Sequence, residues 1–362
     1  MTRPAQALID LSALQHNLTR VKQAAPGRRV MAIIKADAYG HGIVRVARAL
    51  NEADGYGVAS IDEAIVLREA GVTRPITLLE GCFEASEMEL ISRHALSVVV
   101  HHAAQLDMLE RAAQKSPVTV WLKIDSGMHR LGFAPVEVKP AWQRLTACAA
   151  VAQPIGLMTH LACADDISHP ATLHQLECLE RAAAGLPGER SIANSAAILG
   201  WPQTHADWVR PGIMLYGVSP FCGGRAAEHN LKSVMTLRSA LIAVHHFKRG
   251  DAIGYGASYV CPHDMPVGVV AIGYGDGYPR HAQTGTPVLV NGRRVALIGR
   301  VSMDMICVDL STEQGARVGD PVVLWGAGLP VEEVAEHAAT IAYELLCGVA
   351  RRVRCVEVHG QG

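Results

Sequence analysis

The stretch VMAIIKADAYGHG, Val30 to Gly42, starts as an unbroken apolar run and ends in a polar turn flanked by glycines. An apolar run without polar alternation predicts a strand that is buried on both faces, as in a parallel sheet. The spacing of apolar residues then changes to that of a helix over Ile43–Ala53. A buried strand followed at once by a helix predicts a βα unit, with Lys35 at the carboxyl end of its strand.

The same strand-then-helix rhythm continues through the first two-thirds of the chain. Helical spacing recurs over Ile61–Ala70, Ala103–Gln114 and Leu173–Ala184, between further apolar runs. Eight such units in roughly 200 residues predict an α/β fold with a (β/α)8 TIM-type barrel over residues 10–225, although periodicity alone also fits a doubly wound open sheet. The predicted strands are Val30–Ile34, Tyr56–Ala59, Pro75–Leu79, Leu96–Val100, Val118–Ile124, Ile155–Thr159, Arg190–Ala193 and Trp208–Leu215.

From about residue 226 the runs become β-rich, without helices between most of them. Asn291-Gly292, between two of these runs, is a strong hairpin signal. We therefore predict a mainly antiparallel β-domain over residues 226–362, with residues 1–9 as a candidate addition to it. Strands are expected at Val234–Val244, Val267–Ile272, Pro287–Val290, Arg293–Ile298, Ile306–Leu310, Pro321–Trp325 and Arg352–Val358, and helices at Val331–Ala338 and Thr340–Leu346.

Composition and charge exclude several classes of protein. The 362 residues are 49% hydrophobic and 19% charged, which is typical of a well-buried globular chain. A formal net charge of −1 provides no field for attracting nucleic acid or an anionic membrane, so neither is expected as a partner. The nine cysteines are dispersed without a C-x-x-C pair, and no signal peptide or membrane-spanning run is recognisable. We therefore expect reduced thiols and a cytoplasmic location.

Two lysines lie at positions where burying a charged side chain would be energetically unfavourable. Lys35 closes the first predicted strand at the mouth of the barrel, where a desolvated, neutral amine could attack an aldehyde. An ordinary strand-end lysine that extends to solvent remains the alternative. Lys123 lies inside a predicted buried strand, ahead of Arg130 on the following loop. An inward lysine needs a carboxylate partner or a modification that removes its charge.

Small polar residues and glycines follow the last three predicted barrel strands. They are His160, Asn194, Ser195 and the turn Arg210-Pro211-Gly212-Ile213. Barrels often build a phosphate site from the loops after strands seven and eight. Backbone N–H groups near Ser195 and in the turn would hold the phosphate, and Ser195 could also cap a helix over Ala196–Leu199.

Glycine-flanked tyrosines mark the β-domain. Tyr255 and Tyr274 each lie between glycines, and a third glycine-led segment runs from Gly299 to Met305. A phenol exposed at a tight turn can act as an acid or a base. Each segment could equally be a structural turn whose aromatic side chain serves only in packing.

Histidines and aspartates do not predict a metal site. The adjacent pairs His101-His102 and His245-His246 lie on strand-like segments, so each pair points to opposite faces of a sheet. His160 with Asp165, Asp166 and His169 fits a surface loop better than a ligand set. We therefore expect no metal cofactor.

Together these segments resemble the alanine racemase family, pyridoxal-phosphate enzymes with an N-terminal barrel and a C-terminal β-domain, over essentially the whole chain. The segment from Lys35 to Gly42 is similar to the family's cofactor-binding segment. The resemblance implies that Lys35 holds pyridoxal 5'-phosphate as a Schiff base. It also implies cofactor contacts for Tyr39, Arg130, His160, Asn194, Ser195, Arg210, Gly212, Ile213 and Tyr343.

Within that set, the resemblance assigns particular roles to several side chains. Arg210 is similar to the arginine that faces the pyridine nitrogen, with His160 behind it. Arg130 is similar to the arginine near the cofactor's phenolic oxygen and is also expected to contact the substrate. Lys123 corresponds to a lysine that is carbamylated in many members.

The β-domain residues are implied to act in another subunit. Tyr255 matches the family's second catalytic base, and the family is dimeric, with this tyrosine reaching into the partner's barrel. Met303 and Asp304 match the segment that meets the substrate carboxylate. Tyr274 and Arg300 are expected along the path by which the substrate enters.

These roles predict racemisation of alanine by two bases. A proton must leave one face of Cα and return to the other, and Lys35 and Tyr255 would stand on opposite faces. Arg210 stays charged and can only donate, so the pyridine nitrogen should remain unprotonated, which weakens the electron sink and disfavours transamination.

Two rival functions are weaker. A decarboxylase of diamino acids with a related architecture would need an acidic group in place of Arg210. A non-catalytic carrier of pyridoxal phosphate would not need the β-domain with Tyr255. The residues do not favour either of two biological roles, the supply of D-alanine for peptidoglycan or the catabolism of alanine.

Overall fold

The computed structural model describes residues 3–112 and 116–360. In this part of the chain, strand β1 (Gln6–Asp10) and helix α1 (Leu11–Ala24) precede eight parallel strands that close into a barrel in chain order. The last barrel strand pairs with the first through Arg29 with Trp208 and Val30 with Val209. The predicted barrel is therefore confirmed. Its strands are β2 (Arg29–Ile33), β3 (Gly55–Val58), β4 (Ile76–Leu78), β5 (Ser97–Val100), β6 (Val118–Lys123), β7 (Val151–Met158), β8 (Arg190–Ser191) and β9 (Trp208–Val209).

Helices cover the outside of the barrel. Helix α1 shows why they form: the Asp10 side chain caps it by accepting hydrogen bonds from two backbone amides, and the buried Leu14, Leu18 and Val21 recur at helical spacing. The helix predicted to reach Gln114 ends at Arg111, and residues 113–115 lie outside the described ranges. The remaining helical segments of the barrel are the short turn α2 (Lys35–Gly40) at its mouth and the helices α3 (Ile43–Ala49), α4 (Ile61–Glu69), α5 (Glu87–Arg93), α6 (Ala103–Arg111), α7 (Val138–Ala147), α8 (Ala171–Ala182) and α9 (Ser195–Gly200).

The eighth barrel strand is much shorter than the predicted run Trp208–Leu215. Only Trp208 and Val209 pair as a strand, and the chain then forms a 3₁₀ helix over Ile213–Tyr216. The reason is Pro211, which has no N–H to donate to a ladder and cannot continue a central strand. The backbone consequently leaves the sheet beside Arg210, at the mouth of the barrel.

The second part of the chain forms a mainly antiparallel sheet, as predicted. The long strand β10 pairs along its first half with β1 and β17 and along its second half with β13, so that β10, β13, β16, β15, β14 and β17 close into a ring, while β11 and β12 pair with each other in a separate sheet. Asn291 and Gly292 form the predicted hairpin turn, both with positive φ. The elements are β10 (Met235–Phe247), β11 (Ala252–Ile253), β12 (Tyr259–Val260), β13 (Met265–Val270), β14 (Pro287–Val290), β15 (Arg293–Ile298), β16 (Ile306–Asp309), β17 (Pro321–Trp325), α10 (Val331–His337), α11 (Ala342–Cys347) and β18 (Arg354–Val358).

The two ends of the chain meet in this sheet. Strand β1 runs antiparallel to β10 and parallel to β18, with Gln6 opposite Arg354 and Asp10 opposite Val358. The residues just before β1 and just before β18 therefore lie side by side, at the same end of the two strands.

Candidate active site

One cavity of about 1010 Å³ opens at the carboxyl ends of the barrel strands. Its wall is completed by the β-domain helices α10 and α11. The cavity collects every predicted site residue of the barrel together with one from α11. They are Lys35, Tyr39, Lys123, Arg130, His160, Asn194, Ser195, Arg210, Gly212, Ile213 and Tyr343.

The segment after Lys35 adopts a left-handed helical turn. Ala36, Asp37, Ala38 and Tyr39 all have φ between 50° and 54°, although none is a glycine. Each such L-residue costs roughly 1–2 kcal/mol, so the surrounding structure must hold the turn. The sequence contains no sign of it, because glycines appear only afterwards, at positions 40 and 42.

Three side chains hold this turn in place. The Glu63 carboxylate accepts a hydrogen bond of 2.7 Å from the backbone N–H of Ala36. Asp37 accepts one of 2.7 Å from the N–H of Ile43, at the start of α3. His41 Nδ1 lies 3.0 and 2.9 Å from two carbonyl oxygens of the turn and donates to them. Burial lowers the pKa of His41 to about 4, so its ring is neutral and holds the turn as a hydrogen-bond donor.

The turn directs Tyr39 into a column of aromatic rings. The Tyr39 ring stacks on Tyr216 at 4.6 Å between ring centres and meets Tyr343 at 6.0 Å. Burial raises the pKa of Tyr39 well above its usual range and that of Tyr343 to about 12. Both phenols are therefore protonated near neutrality and can donate hydrogen bonds to an anion in the cavity.

Ser195 and Gly212 form a small polar cradle beside Tyr39. The Ser195 hydroxyl accepts hydrogen bonds from the N–H groups of Gly212, at 2.8 Å, and of Met214, at 3.4 Å. Its own proton is free to point into the cavity. A Cβ at position 212 would stand 2.6 Å from the Tyr39 hydroxyl, so only glycine leaves this space open. Space and donors of this kind suit a phosphate group.

Arg210 is buried and rigidly held. Its guanidinium donates to the Ser191 hydroxyl at 2.8 Å and to the Thr159 carbonyl at 2.6 Å, and it lies 3.4 Å from His160 Nδ1. Burial lowers the pKa of Arg210 to about 10, which still leaves it charged at neutral pH. Burial, followed by the charge of Arg210, lowers the pKa of His160 well below its usual range, so His160 is a neutral neighbour.

Lys123 points from strand β6 into a strongly positive environment. Burial is the largest cause that lowers its pKa to about 8, followed by the charges of Arg210, Arg130 and Lys35, while Glu80 acts in the opposite direction. A substantial fraction of the amine is therefore neutral under mildly basic conditions.

Several residues of the cavity wall were not predicted from the sequence. Glu80 stands directly after the run Pro75–Leu79, so the rule that strand ends supply site residues could have found it. Asp165, which fits a surface loop in the sequence, lines the cavity and accepts a hydrogen bond from Cys222 Sγ at 3.1 Å. No local pattern marks Cys222.

The helices α10 and α11 also add residues that no motif indicated. Glu332 accepts hydrogen bonds from the N–H groups of Ser219, at 3.0 Å, and Ala226, at 3.1 Å, and so ties the loop after the barrel to α10. Cys347 lines the cavity from α11. Contacts between such distant parts of the chain are set by the packing of the domains rather than by spacing in the sequence.

The predicted β-domain residues lie elsewhere. Tyr255, Tyr274 and Met303 are 69%, 41% and 54% exposed, and none of them lines the cavity. A Cβ at Gly256 would lie 3.2 Å from Arg300 Nη1, so Arg300 stands against the turn that carries Tyr255. Asp304 belongs to the same exposed surface. We name this surface, formed by residues 254–256, 274, 300 and 302–304, the β-domain face.

The described residues also bear on metal binding and on membrane crossing. Over the ranges that the structure covers, no three His, Cys, Asp or Glu side chains are grouped so that they could hold a metal ion. None of the described helices is both long and apolar enough to cross a membrane.

Comparison with known proteins agrees with this architecture. The family Alanine racemase, N-terminal domain, matches residues 9–220, and the family Alanine racemase, C-terminal domain, matches residues 234–357. The alanine racemase of Nitrosococcus oceani is 58% identical over 96% of this chain and 98% of its own length, and that of Halorhodospira halophila is 52% identical over 100% of both.

Solved structures give the same result. The biosynthetic alanine racemase from Pseudomonas aeruginosa superimposes with a TM-score of 0.96 at 48% identity, over 99% of this chain and 100% of that one. The alanine racemase from Acinetobacter baumannii gives a TM-score of 0.94 at 38% identity, over 99% and 100%. On the matches of both its domains and of its full-length relatives, the chain belongs to the alanine racemase family.

Proposed function

We propose that this protein is a pyridoxal-phosphate-dependent alanine racemase that interconverts L- and D-alanine with Lys35 and Tyr255 as its two bases. The proposal rests on one observation. Lys35, the cradle of Ser195 and Gly212, and the buried Arg210 line the same cavity. The relatives bear the name alanine racemase, which agrees with this activity.

The side chains of the cavity fit the cofactor. Lys35 would hold its aldehyde carbon, while Tyr39, Ser195, Gly212 and Tyr343 would hold its phosphate. Ile213 and Asn194 would complete this end, and Arg210, supported by His160, would face the ring nitrogen. When bound, pyridoxal phosphate supplies an electron sink for the charge that develops on Cα as its proton leaves.

The chain's own residues would move that proton. Lys35, once its amine is free, stands on one side of the substrate and can take or return a proton. Arg130, which lines the same cavity, would hold the cofactor's phenolic oxygen and the substrate. A second base must stand on the opposite side of the substrate. Among the described residues that line this chain's cavity, Tyr343 is the only exposed tyrosine, and it is assigned to the phosphate.

The second base would come from another copy of the chain. Tyr255 is largely exposed on the β-domain face, away from its own cavity. A twofold homodimer would bring each β-domain face to the partner's cavity, with Met303 and Asp304 near the substrate carboxylate and Tyr274 and Arg300 along the entrance. We propose, besides this homodimer, a cytoplasmic location and no nucleic-acid partner.

The domain division is also part of the proposal. We place the barrel at residues 10–225 and the β-domain at 226–362, and the pairing of β1 with β10 and β18 supports adding residues 1–9 to the latter. The outermost positions, 1–2 and 361–362, lie outside the described ranges.

Purified protein tests the function directly. Supplied with pyridoxal phosphate and L-alanine, it should form D-alanine until the two antipodes are equal. A diamino-acid decarboxylase would instead release CO2 from a diamino acid, and a carrier would bind the cofactor without turnover. Either result, in the absence of D-alanine formation, would overturn the proposal.

Arg210→Glu should change the reaction as well as slow it. A carboxylate in place of the guanidinium could share a proton with the ring nitrogen and strengthen the electron sink, so pyruvate release from alanine should rise above the native level. Loss of the charged donor should lower kcat for racemisation by about 10²- to 10³-fold. Arg144→Glu, on the outer helix α7, is the matched control. Racemisation by the Arg210 variant without new pyruvate release would contradict this role.

Lys123 should carry a carbamate. Its lowered pKa of about 8 leaves neutral amine available to react with CO2, and the product is an anion that can hold Arg130. At fixed dissolved CO2, the modified fraction should increase as pH rises through about 8, since only the neutral amine reacts. Carbon-13 NMR with labelled CO2 should show a carbamate resonance that Lys123→Ala removes and Lys139→Ala retains. A spectrum without that resonance would exclude the modification.

A further inference from the structure

We propose that Arg3, together with Asp276 and Arg352, is a positioning residue for the loop 302–304, and so sets the substrate-carboxylate contact of the partner's active site. This inference rests on the proposed function, because it requires the β-domain face to act in a second subunit. It adds Arg3, Asp276 and Arg352 to the residues that serve the site.

Asp276 is the centre of the arrangement. Its side chain has no exposed surface, which is costly for a carboxylate unless it is paired. Arg3 donates from Nε to its Oδ1 at 3.2 Å and from Nη2 to its Oδ2 at 2.7 Å, and Arg352 Nε lies 2.8 Å from the same Oδ1. The N–H of Gly273 donates a further hydrogen bond of 2.9 Å. The carboxylate is therefore fully satisfied and fixed in orientation.

Both arginines also hold the loop that carries Met303 and Asp304. Arg3 Nη2 donates to the Asp304 carbonyl at 2.6 Å, and Arg352 Nη2 donates to the Asp304 carboxylate at 2.6 Å. Each guanidinium thus bridges the buried carboxylate and the exposed loop. The side chains of the loop are exposed, Met303 at 54% and Asp304 at 43%, so burial contributes little to fixing them.

The backbone of the two glycine-rich segments completes the connection. Tyr274 N–H donates to the Ser302 carbonyl at 3.0 Å, and Gly275 N–H to the Met303 carbonyl at 2.8 Å. A Cβ at Gly273 would lie 2.2 Å from the Ser302 oxygen. The loop 302–304 and the segment around Asp276 therefore form one hydrogen-bonded unit, and the two arginines connect this unit to the segments before β1 and β18.

The fold explains why residues so far apart in the sequence meet here. Strands β1 and β18 are parallel neighbours, and Arg3 and Arg352 each precede one of them. Both side chains consequently extend from the same end of the sheet. Arg3 can be removed without leaving Asp276 unpaired, since Arg352 remains, so the variant should fold.

Arg3→Met should raise KM for L-alanine by about tenfold and change kcat by less than about threefold, because the loop loses one charge-assisted bridge and the bases are unaffected. The cofactor's absorption spectrum and affinity should stay native, since the cofactor residues lie in the barrel and α11. Arg3→Lys should recover part of the KM. Arg144→Met, which breaks an ion pair to Asp107 and Glu110 outside the barrel, should leave KM unchanged.

Mixed dimers test whether Arg3 acts in the partner's site. A dimer that joins an Arg3→Met chain to a Lys35→Ala chain has one functional lysine, and its site faces a loop with intact Arg3. Its KM should therefore be native. A wild-type chain joined to a chain that carries both substitutions should show the raised KM, because its functional site meets the altered loop. The inference would be overturned if the first mixed dimer showed the raised KM and the second a native KM. A native KM in the Arg3→Met homodimer would also overturn it.

The proposed shared site has its own control. Lys35→Ala chains joined to Tyr255→Phe chains should be active only if Tyr255 acts across subunits. If this pair is inactive, the shared site itself fails. If it is active while the Arg3 dimers give the opposite KM pattern, only the role of Arg3 fails.

Discussion

Replacement of Lys35 by alanine should lower kcat for alanine racemisation by about 10³-fold or more, because one side chain both binds the cofactor covalently and serves as a base. Lys35 lines the cavity, and the left-handed turn after it directs Tyr39 towards the phosphate cradle. Among the described residues that line the cavity, Lys123 is the only other lysine, and it lies near Arg130 and Arg210. It is therefore not expected to replace Lys35 in holding the cofactor.

Borohydride reduction of the holoenzyme followed by peptide mass spectrometry checks the covalent part. The cofactor should be recovered on the peptide that contains Lys35 and should be absent from the Lys35→Ala protein. Lys139→Ala, an exposed lysine of α7, provides the control and should retain full activity. Recovery of the cofactor on Lys123, or racemisation within tenfold of native in the Lys35 variant, would contradict the assignment.

Tyr255→Phe should lower kcat for racemisation by about 10²- to 10⁴-fold, while proton exchange on one face of Cα continues. With only Lys35 remaining, one antipode of alanine should still exchange its α-proton with solvent, and the other should not. Proton NMR in deuterium oxide, run separately on L- and D-alanine, measures both exchange rates in one experiment.

Tyr259→Phe is the matched control for this variant. Tyr259 begins the neighbouring strand β12, and its hydroxyl contacts Met265 Sδ at 3.7 Å rather than facing a site. This protein should exchange both antipodes at native rates. Equal loss of exchange for both antipodes in Tyr255→Phe would show that the tyrosine is not a base for one face.

Much of the fold follows from local patterns in the sequence. Apolar runs without alternation correctly predicted the parallel barrel, and Asn291-Gly292 correctly predicted a hairpin. Strand β9 was predicted too long because Pro211 ends it among residues that still look β-forming. Strand β1 was not predicted as a strand at all, since its partners β10 and β18 lie far along the chain and only tertiary pairing defines it.

The site was predictable where it depends on strand ends and less so elsewhere. Lys35, Ser195 and Gly212 follow barrel strands, and the structure places them in one cavity. The left-handed turn could not be predicted, because its residues carry no glycine and are held by Glu63 from another unit. The pairing of Arg3 with Asp276 joins residues 273 positions apart, a distance at which no motif operates.

A purified mixed dimer of Lys35→Ala and Tyr255→Phe chains tests the central claim most directly. Each homodimer lacks one base in both of its sites and should racemise alanine at no more than about 1% of the native rate. In the mixed dimer, one site receives an intact Lys35 from one chain and an intact Tyr255 from the other, so it should racemise alanine at about half the native rate per dimer. A mixed dimer as inactive as the two homodimers would contradict a site shared between subunits.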